Sequence, residues 1–276
     1  MMKKNLLLIL MCFVCGLVYA HDGLNFRNLD VKSGISDNYV RSVLRDQYGF
    51  MWFATLNGLN RYDGYQFKKY TTTQLGAYNN DIESIAEDAA GNIWIKGPVS
   101  YYIYDREQDK LENKIQPVLN KYGITGEVSY LTVDKDYNLW CTVMDTLFHY
   151  DFAKSKLHTF QLPGKEKMQQ VVCRRSCAYL LFSNGEIARI DSNFQHIRPE
   201  TRRTISSGLQ YNLYIDTVDR LWFYASHASG LQCYDTNQKQ WIDYVGRQEV
   251  TDALITAVMD DGDGNLWIGT DDKGVY

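Results

Sequence analysis

Short apolar runs, each centred on a tryptophan and bounded by polar turns, recur along this chain at nearly constant spacing. DGDGNLWIGT, from Asp261 to Thr270, carries the pattern most fully, with a turn opened by Asp261, Gly264 at the positive-φ position of a short hairpin loop, and Leu266, Trp267 and Ile268 starting the return strand. DQYGFMWF (Asp46 to Phe53), DAAGNIWI (Asp88 to Ile95), DKDYNLWC (Asp134 to Cys141) and DTVDRLWF (Asp216 to Phe223) repeat it. In all five an aspartate stands six residues before the tryptophan. Apolar residues on both sides of these runs predict strands with no free face, each sheet being sandwiched between two neighbours.

A second aspartate follows each first one. Asp63, Asp105 and Asp151 each lie eleven residues after their tryptophan, and Asp235 follows Trp222 by thirteen. Counting back eleven from Asp191 reaches Leu180 in the apolar run Tyr179 to Phe182, a degenerate repeat without its tryptophan. The anchors at 63, 105, 151, 191 and 235 step by 42, 46, 40 and 44 residues. Short strands at this period predict an all-β propeller of four-stranded antiparallel blades. Five full repeats and a truncated sixth fall at about 36–71, 81–116, 127–161, 169–198, 208–245 and 251–276. Residues 24–29 read as an orphan strand that closes a blade begun at the far end of the array, which removes two open sheet edges. The sixth repeat stops inside its third strand at Tyr276, so the chain reads as part of a longer one, a closed six-bladed ring being the alternative.

Composition changes the picture at the N-terminus. Lys3 and Lys4, the apolar stretch Leu6 to Val18 and the Val18-Tyr19-Ala20 site read as a signal peptide over 1–20, leaving 21–276 as an exported chain. Removing it takes the formal net charge from −4 to −6, so nucleic acid is not an expected partner. Cys141 occupies the place of Phe53, Ile95, Phe223 and Ile268 and reads as a small core residue. Cys173 and Cys177 flank the degenerate turn; an exported chain permits their pairing, but most repeats lack both, so they are read as free thiols.

The chemistry-bearing residues are few once the repeats are discounted. The recurring tryptophans read as packing and the second aspartates as acceptors for turn amides. The fifth repeat inserts two residues after Trp222, giving Tyr224-Ala225-Ser226-His227-Ala228-Ser229-Gly230. Tyr224, Ser226 and His227 are the candidate ligand-binding residues, Tyr224 to stack on a sugar and the others to hydrogen-bond hydroxyls; a tolerated surface insertion is the plainer reading. Arg174-Arg175, in place of the acidic turn of the fourth repeat, suits either solvent or an acidic sugar. Asp261, Asp263 and Asn265 start like a calcium loop, but Leu266 stands where glycine is required, so no metal is expected. No catalytic residue and no cofactor is indicated, since neither a nucleophile elbow nor a phosphate-binding glycine loop is present.

Gly34-Ile35-Ser36-Asp37-Asn38-Tyr39-Val40, the D-x-x-G-x-x-W turns and the Gly-Leu…Arg-Tyr-Asp strand of the first repeat resemble the two-component regulator propeller repeat. The resemblance extends over about residues 24–276, with the fourth repeat departing from it. It implies an incomplete part of a seven-bladed propeller at the front of a periplasmic sensor region of a hybrid two-component system. It further implies an oligosaccharide ligand, control of glycan-utilisation genes, and a homodimer formed through the full-length protein. The membrane segment, histidine kinase and output domain would lie in parts not contained in this chain, with this region on the periplasmic face of the inner membrane. A secreted protein-interaction scaffold is the alternative, and a propeller polysaccharide lyase or hydrolase ranks behind it.

Overall fold

The computed structural model describes residues 27–276 apart from 165, 175–176, 192, 207, 243–251 and 272. The expected signal peptide therefore lies outside the described residues, as do 24–26 of the expected orphan strand. Its remainder, 27–29, forms no strand and leads into a 3-10 turn, Val31–Ser33, capped by the Asp30 carboxylate.

Six antiparallel sheets follow one another along the chain. The first is β1 (Val40–Arg45), β2 (Met51–Thr55), β3 (Gly58–Tyr62) and β4 (Phe67–Tyr70), and the second is β5 (Ser84–Glu87), β6 (Ile93–Lys96), β7 (Tyr101–Asp105) and β8 (Lys110–Glu112). A short helix, α1 (Gln116–Lys121), precedes the third sheet, β9 (Val128–Val133), β10 (Leu139–Val143), β11 (Thr146–Asp151) and β12 (Lys156–Gln161). The fourth is β13 (Met168–Arg174), β14 (Cys177–Phe182), β15 (Glu186–Ile190) and β16 (Ile197–Arg202), and the fifth β17 (Tyr211–Ile215), β18 (Arg220–Ala225), β19 (Leu231–Asp235) and β20 (Gln240–Ile242). The sixth holds β21 (Ile255–Asp260) and β22 (Leu266–Thr270), with Val275 bridged to Gly269 where a third strand begins. Each sheet is a meander in chain order, the propeller architecture that the repeats predict.

The spacing of aspartate and tryptophan has a direct cause. In the first hairpin of every sheet but the fourth, one carboxylate oxygen accepts two turn amides, and the other accepts the indole N–H of the tryptophan six residues on. Asp88 Oδ1 receives the amides of Ala90 and Asn92 at 3.0 Å each, and Oδ2 receives Trp94 Nε1 at 2.8 Å. Trp52, Trp140, Trp222 and Trp267 donate in the same way to Asp46, Asp134, Asp216 and Asp261. The slot three residues after the aspartate takes positive φ, as Gly49, Gly91 and Gly264 do, and Tyr137 and Asp219 hold it without glycine. The second aspartates do the same for the third turn, Asp63 and Asp235 each accepting two backbone amides.

The clasps of the second and fifth sheets differ in how firmly they hold their charge. Burial pushes the Asp88 carboxyl above its ordinary range despite its amide and indole donors. Burial acts on Asp216 too, but the Arg220 amide, the Trp222 indole and the Arg220 guanidinium outweigh it and hold that carboxyl below the usual range.

Stacking of the sheets solves an edge problem. The first strand of every sheet pairs on one side only, which leaves alternate amides without a ladder partner. At each of the five junctions one such amide is met by a side chain of the preceding sheet. Ile85 donates to Ser42 Oγ, Leu131 to Tyr101 Oη, Val171 to Tyr130 Oη, Leu213 to Gln170 Oε1 and Asp260 to Tyr214 Oη. Replacing Tyr130 by Phe keeps the ring and strands the Val171 amide. It is expected to cost about 1 kcal/mol in urea unfolding and to speed exchange of that amide, whereas unchanged exchange would show the bond to be idle.

The tryptophan side of each sheet packs on the next one. Trp222, for instance, lies among Ile255, Val258 and Ile268 of the sixth sheet. Trp52, Trp94, Trp140 and Trp222 are at most 2% exposed, whereas Trp267 is 48% exposed because no seventh sheet covers it among the described residues. At the other end Val43 of β1, on the side away from the second sheet, is 54% exposed.

The register corrects one detail. Asp191 follows Ile190, which pairs with Ala178, as Asp151 follows Tyr150, which pairs with Leu139. Tyr179 rather than Leu180 thus occupies the tryptophan position of the fourth sheet, because its second hairpin is one residue longer than in the first three sheets. Cys173 and Cys177 are free; Cys173 pairs with Ala178, the neighbour of Cys177, so the two thiols point to opposite faces of the sheet. Cys141 is buried, and burial pushes its thiol up to about 12.

Candidate functional site

Meander topology divides the turns between two faces. The first and third hairpins of every sheet open on one face, and the second hairpins open on the other. Tyr224, Ser226 and His227 belong to the second-hairpin face, at the end of β18. Tyr224 is half-buried against the core between the fifth and sixth sheets, and burial raises its hydroxyl pKa. Ser226 Oγ accepts from Asn212 Nδ2 at 2.7 Å. His227 has positive φ, donates its amide to Ile255 O at 2.9 Å and contacts Asp271 through Nδ1. The next residue, Ala228, bridges Ile255. Each side chain thus has its own partner, the core for Tyr224, Asn212 for Ser226 and Asp271 for His227, and the insertion fastens the fifth sheet to the sixth.

A cleft of about 590 Å³ opens on the other face, between the first turns of the first two sheets and α1. Its centre is Arg106, the residue after the second aspartate of the second repeat. The guanidinium donates to Asp46 Oδ2 at 3.1 Å, Glu87 Oε1 at 3.0 Å and Gly91 O at 3.1 Å, so its position is fixed by both sheets. Burial raises the Glu87 carboxyl in spite of the Gln47 amide and Arg106. Tyr48, 65% exposed, lies with its ring centroid 4.4 Å from the Arg106 guanidinium carbon. Asn92 donates to Tyr122 Oη at 2.9 Å behind it, and Glu107, Lys114 and Lys121 line the rim.

This arrangement offers a rigid aromatic ring, one side of it supported by a cation, beside charged hydrogen-bonding groups. It is equipped to hold a flat polar ligand by stacking and by hydrogen bonds. Asp46 and Glu87 are committed to Arg106 and to backbone amides, which leaves them poorly placed to move protons. No group of three metal-ligating side chains occurs among the described residues. Tyr48 and Arg106 come from different sheets and were not singled out in sequence. The only sign was an arginine where the first, third and fifth repeats have Gly64, Phe152 and Thr236 after the aspartate.

Residues 34–57 and 250–272, near the two ends of the array, match the family described as Two component regulator propeller. Those two segments carry two component regulator propeller repeats. No curated protein matches it by sequence. In fold it is similar to the extracellular domains of two proteins from B. thetaiotaomicron described as hybrid two component systems. BT3049 superposes with a TM-score of 0.62 at 21% identity over 90% of this chain and 34% of that one. BT4673 superposes with a TM-score of 0.58 at 19% identity over 93% of this chain and 35% of that one. This chain thus spans about a third of their length. It is also similar to a catalytically inactive virginiamycin B lyase from Staphylococcus aureus solved with quinupristin, with a TM-score of 0.59 at 16% identity over 93% of this chain and 84% of that one. At these identities the likeness concerns the fold.

Proposed function

We propose that this chain is the exported, ligand-sensing part of a two-component signal-transduction protein and that its ligand is an oligosaccharide. The observation that carries this reading is the pair of regulator propeller repeats near the two ends of an array whose fold is similar to that of extracellular domains of two hybrid two component systems. The proposed place is the periplasmic side of the inner membrane, with a kinase and glycan-utilisation genes downstream and a homodimer as the signalling unit. The cleft at Tyr48 and Arg106 is the proposed contact surface. Binding there touches the first and second sheets together, and a ligand that prefers one packing of these sheets over another shifts the balance between them.

Calorimetric titration of the full chain against neutral and acidic oligosaccharides tests this. Saturable binding of at least one is expected, with Tyr48→Ala weakening it about tenfold through loss of the stacking face. Failure to bind any member of a broad panel would remove the saccharide reading. Equal affinity in the Tyr48→Ala protein would remove the cleft as its site, and turnover of a polysaccharide by the chain would favour the lyase or hydrolase reading instead.

A further inference from the structure

The fourth sheet breaks the rule that the other five obey. Its first turn has no aspartate, and Tyr179 takes the place of the tryptophan, so the carboxylate-indole clasp is missing. Two arginines occupy the neighbourhood instead. Arg174 ends β13 where the other sheets lead into their clasping aspartate, and Arg189 stands opposite Tyr179, as Arg61, Ile103, His149 and Cys233 stand opposite the tryptophans. A cavity of about 280 Å³ lies between them and the fifth sheet, lined also by Cys177, Tyr179, Thr236 and Asn237.

The two cations differ in what they already hold. Arg174 is satisfied, its Nε donating to Asp219 Oδ1 at 2.9 Å and its terminal nitrogen to Thr217 O. Arg189 is not. Its acceptor is the Cys177 sulfur at 3.1 Å, and its Nε is buried without a partner. Glu200, the nearest acid on β16, accepts from Tyr234 Oη at 3.1 Å and makes no ion pair with Arg189. A guanidinium presents paired N–H groups in a fixed fork that matches a carboxylate, and a thiol is a weak acceptor for it. Asp219 offsets Arg174, whereas Glu200 acts on Arg189 only from a distance and leaves its buried Nε without an acceptor.

We propose that this gap between the fourth and fifth sheets is a binding site for a carboxylate group, which Arg189 grips in place of the Cys177 sulfur. If the carrier is a sugar, a uronic acid residue supplies both the charge and hydroxyls within reach of Thr236 and Asn237. That choice of carrier rests on the saccharide reading above; the carboxylate site itself does not.

The test is calorimetric titration of the full chain at constant ionic strength with glucuronate, glucose and acetate. Saturable binding of glucuronate but not glucose is expected, weakened at least about tenfold in Arg189→Gln and only partly in Arg189→Lys, which keeps the charge and loses the fork. Binding of acetate with the same dependence on Arg189 would support the carboxylate site whether or not any sugar binds. Glucuronate bound equally well by Arg189→Gln would overturn this site while leaving the saccharide reading intact, and no binding of either carboxylate would overturn it outright. Should Arg189→Gln fail to fold, labelling of Cys177 by iodoacetamide in the unaltered chain decides. Slowing by glucuronate and not by glucose, each relative to buffer alone, supports the site, and equal rates in all three solutions oppose it.

Discussion

Trp222→Ala is expected to cost about 4 kcal/mol, whereas Trp267→Ala, the same change at the same position of the next sheet, is expected to cost about 1 kcal/mol or less. Both indoles donate to their aspartates, at 2.9 and 3.2 Å, so loss of the hydrogen bond is common to the two variants. Burial separates them. Trp222 is 1% exposed and fills the junction between the fifth and sixth sheets, and its removal leaves a cavity lined by Ile255, Val258 and Ile268. Asp216 would keep its turn amides and Arg220, so the hairpin itself should survive. Trp267 already faces solvent on one side, and truncation there opens no cavity. Urea unfolding followed by far-ultraviolet circular dichroism measures both without relying on tryptophan fluorescence. Equal losses would mean that the tryptophans act within their own hairpins and not through the junctions.

The propeller was legible because its determinants are local. A carboxylate that reaches two turn amides and an indole six residues on leaves a fixed spacing in the sequence, and five copies of that spacing define the repeat. The Tyr179 position was missed because an extra residue in a hairpin shifts a count without altering the apolar character of Tyr179 to Phe182. Contacts between sheets left no comparable trace. Asp109 accepts from Tyr70 Oη at 2.6 Å and from Arg61 at 3.0 Å, partners 39 and 48 positions away with no regular spacing to betray them. For the same reason the sequence drew attention to Tyr224, Ser226 and His227, a visible insertion, and passed over Tyr48 and Arg106, which meet only when two sheets stack. Arg174 was visible as a charge reversal. Its companion Arg189 was not, because only the register places it opposite Tyr179.

Stability is expected to fall by about 3 kcal/mol between pH 7 and pH 4 through one residue, His149. The ring is 2% exposed, stacks on Trp140 at 4.0 Å and on Phe194 at 4.7 Å, and neither of its nitrogens has a hydrogen-bond partner. Burial, reinforced by His158, lowers its pKa from 6.5 to about 4, while Asp151 pulls the other way and Lys154 with the lowering groups. Asp134 Oδ2 stands 4.0 Å from Nε2, but that oxygen already accepts the Trp140 indole, and burial raises the Asp134 carboxyl. Because the folded pKa is the lower one, nothing changes above pH 6.5. Below it the unfolded chain takes a proton that the folded chain refuses, and stability drains away until the folded ring also protonates near pH 4. His149→Phe keeps an aromatic ring in the stack and removes the titration. Urea midpoints measured from pH 7 to pH 4 for both proteins should diverge progressively below pH 6.5, the variant losing less, and the difference cancels the other groups that titrate in that window. Parallel curves would show that the buried imidazole gains a proton partner on acidification, with Asp134 as the nearest acceptor.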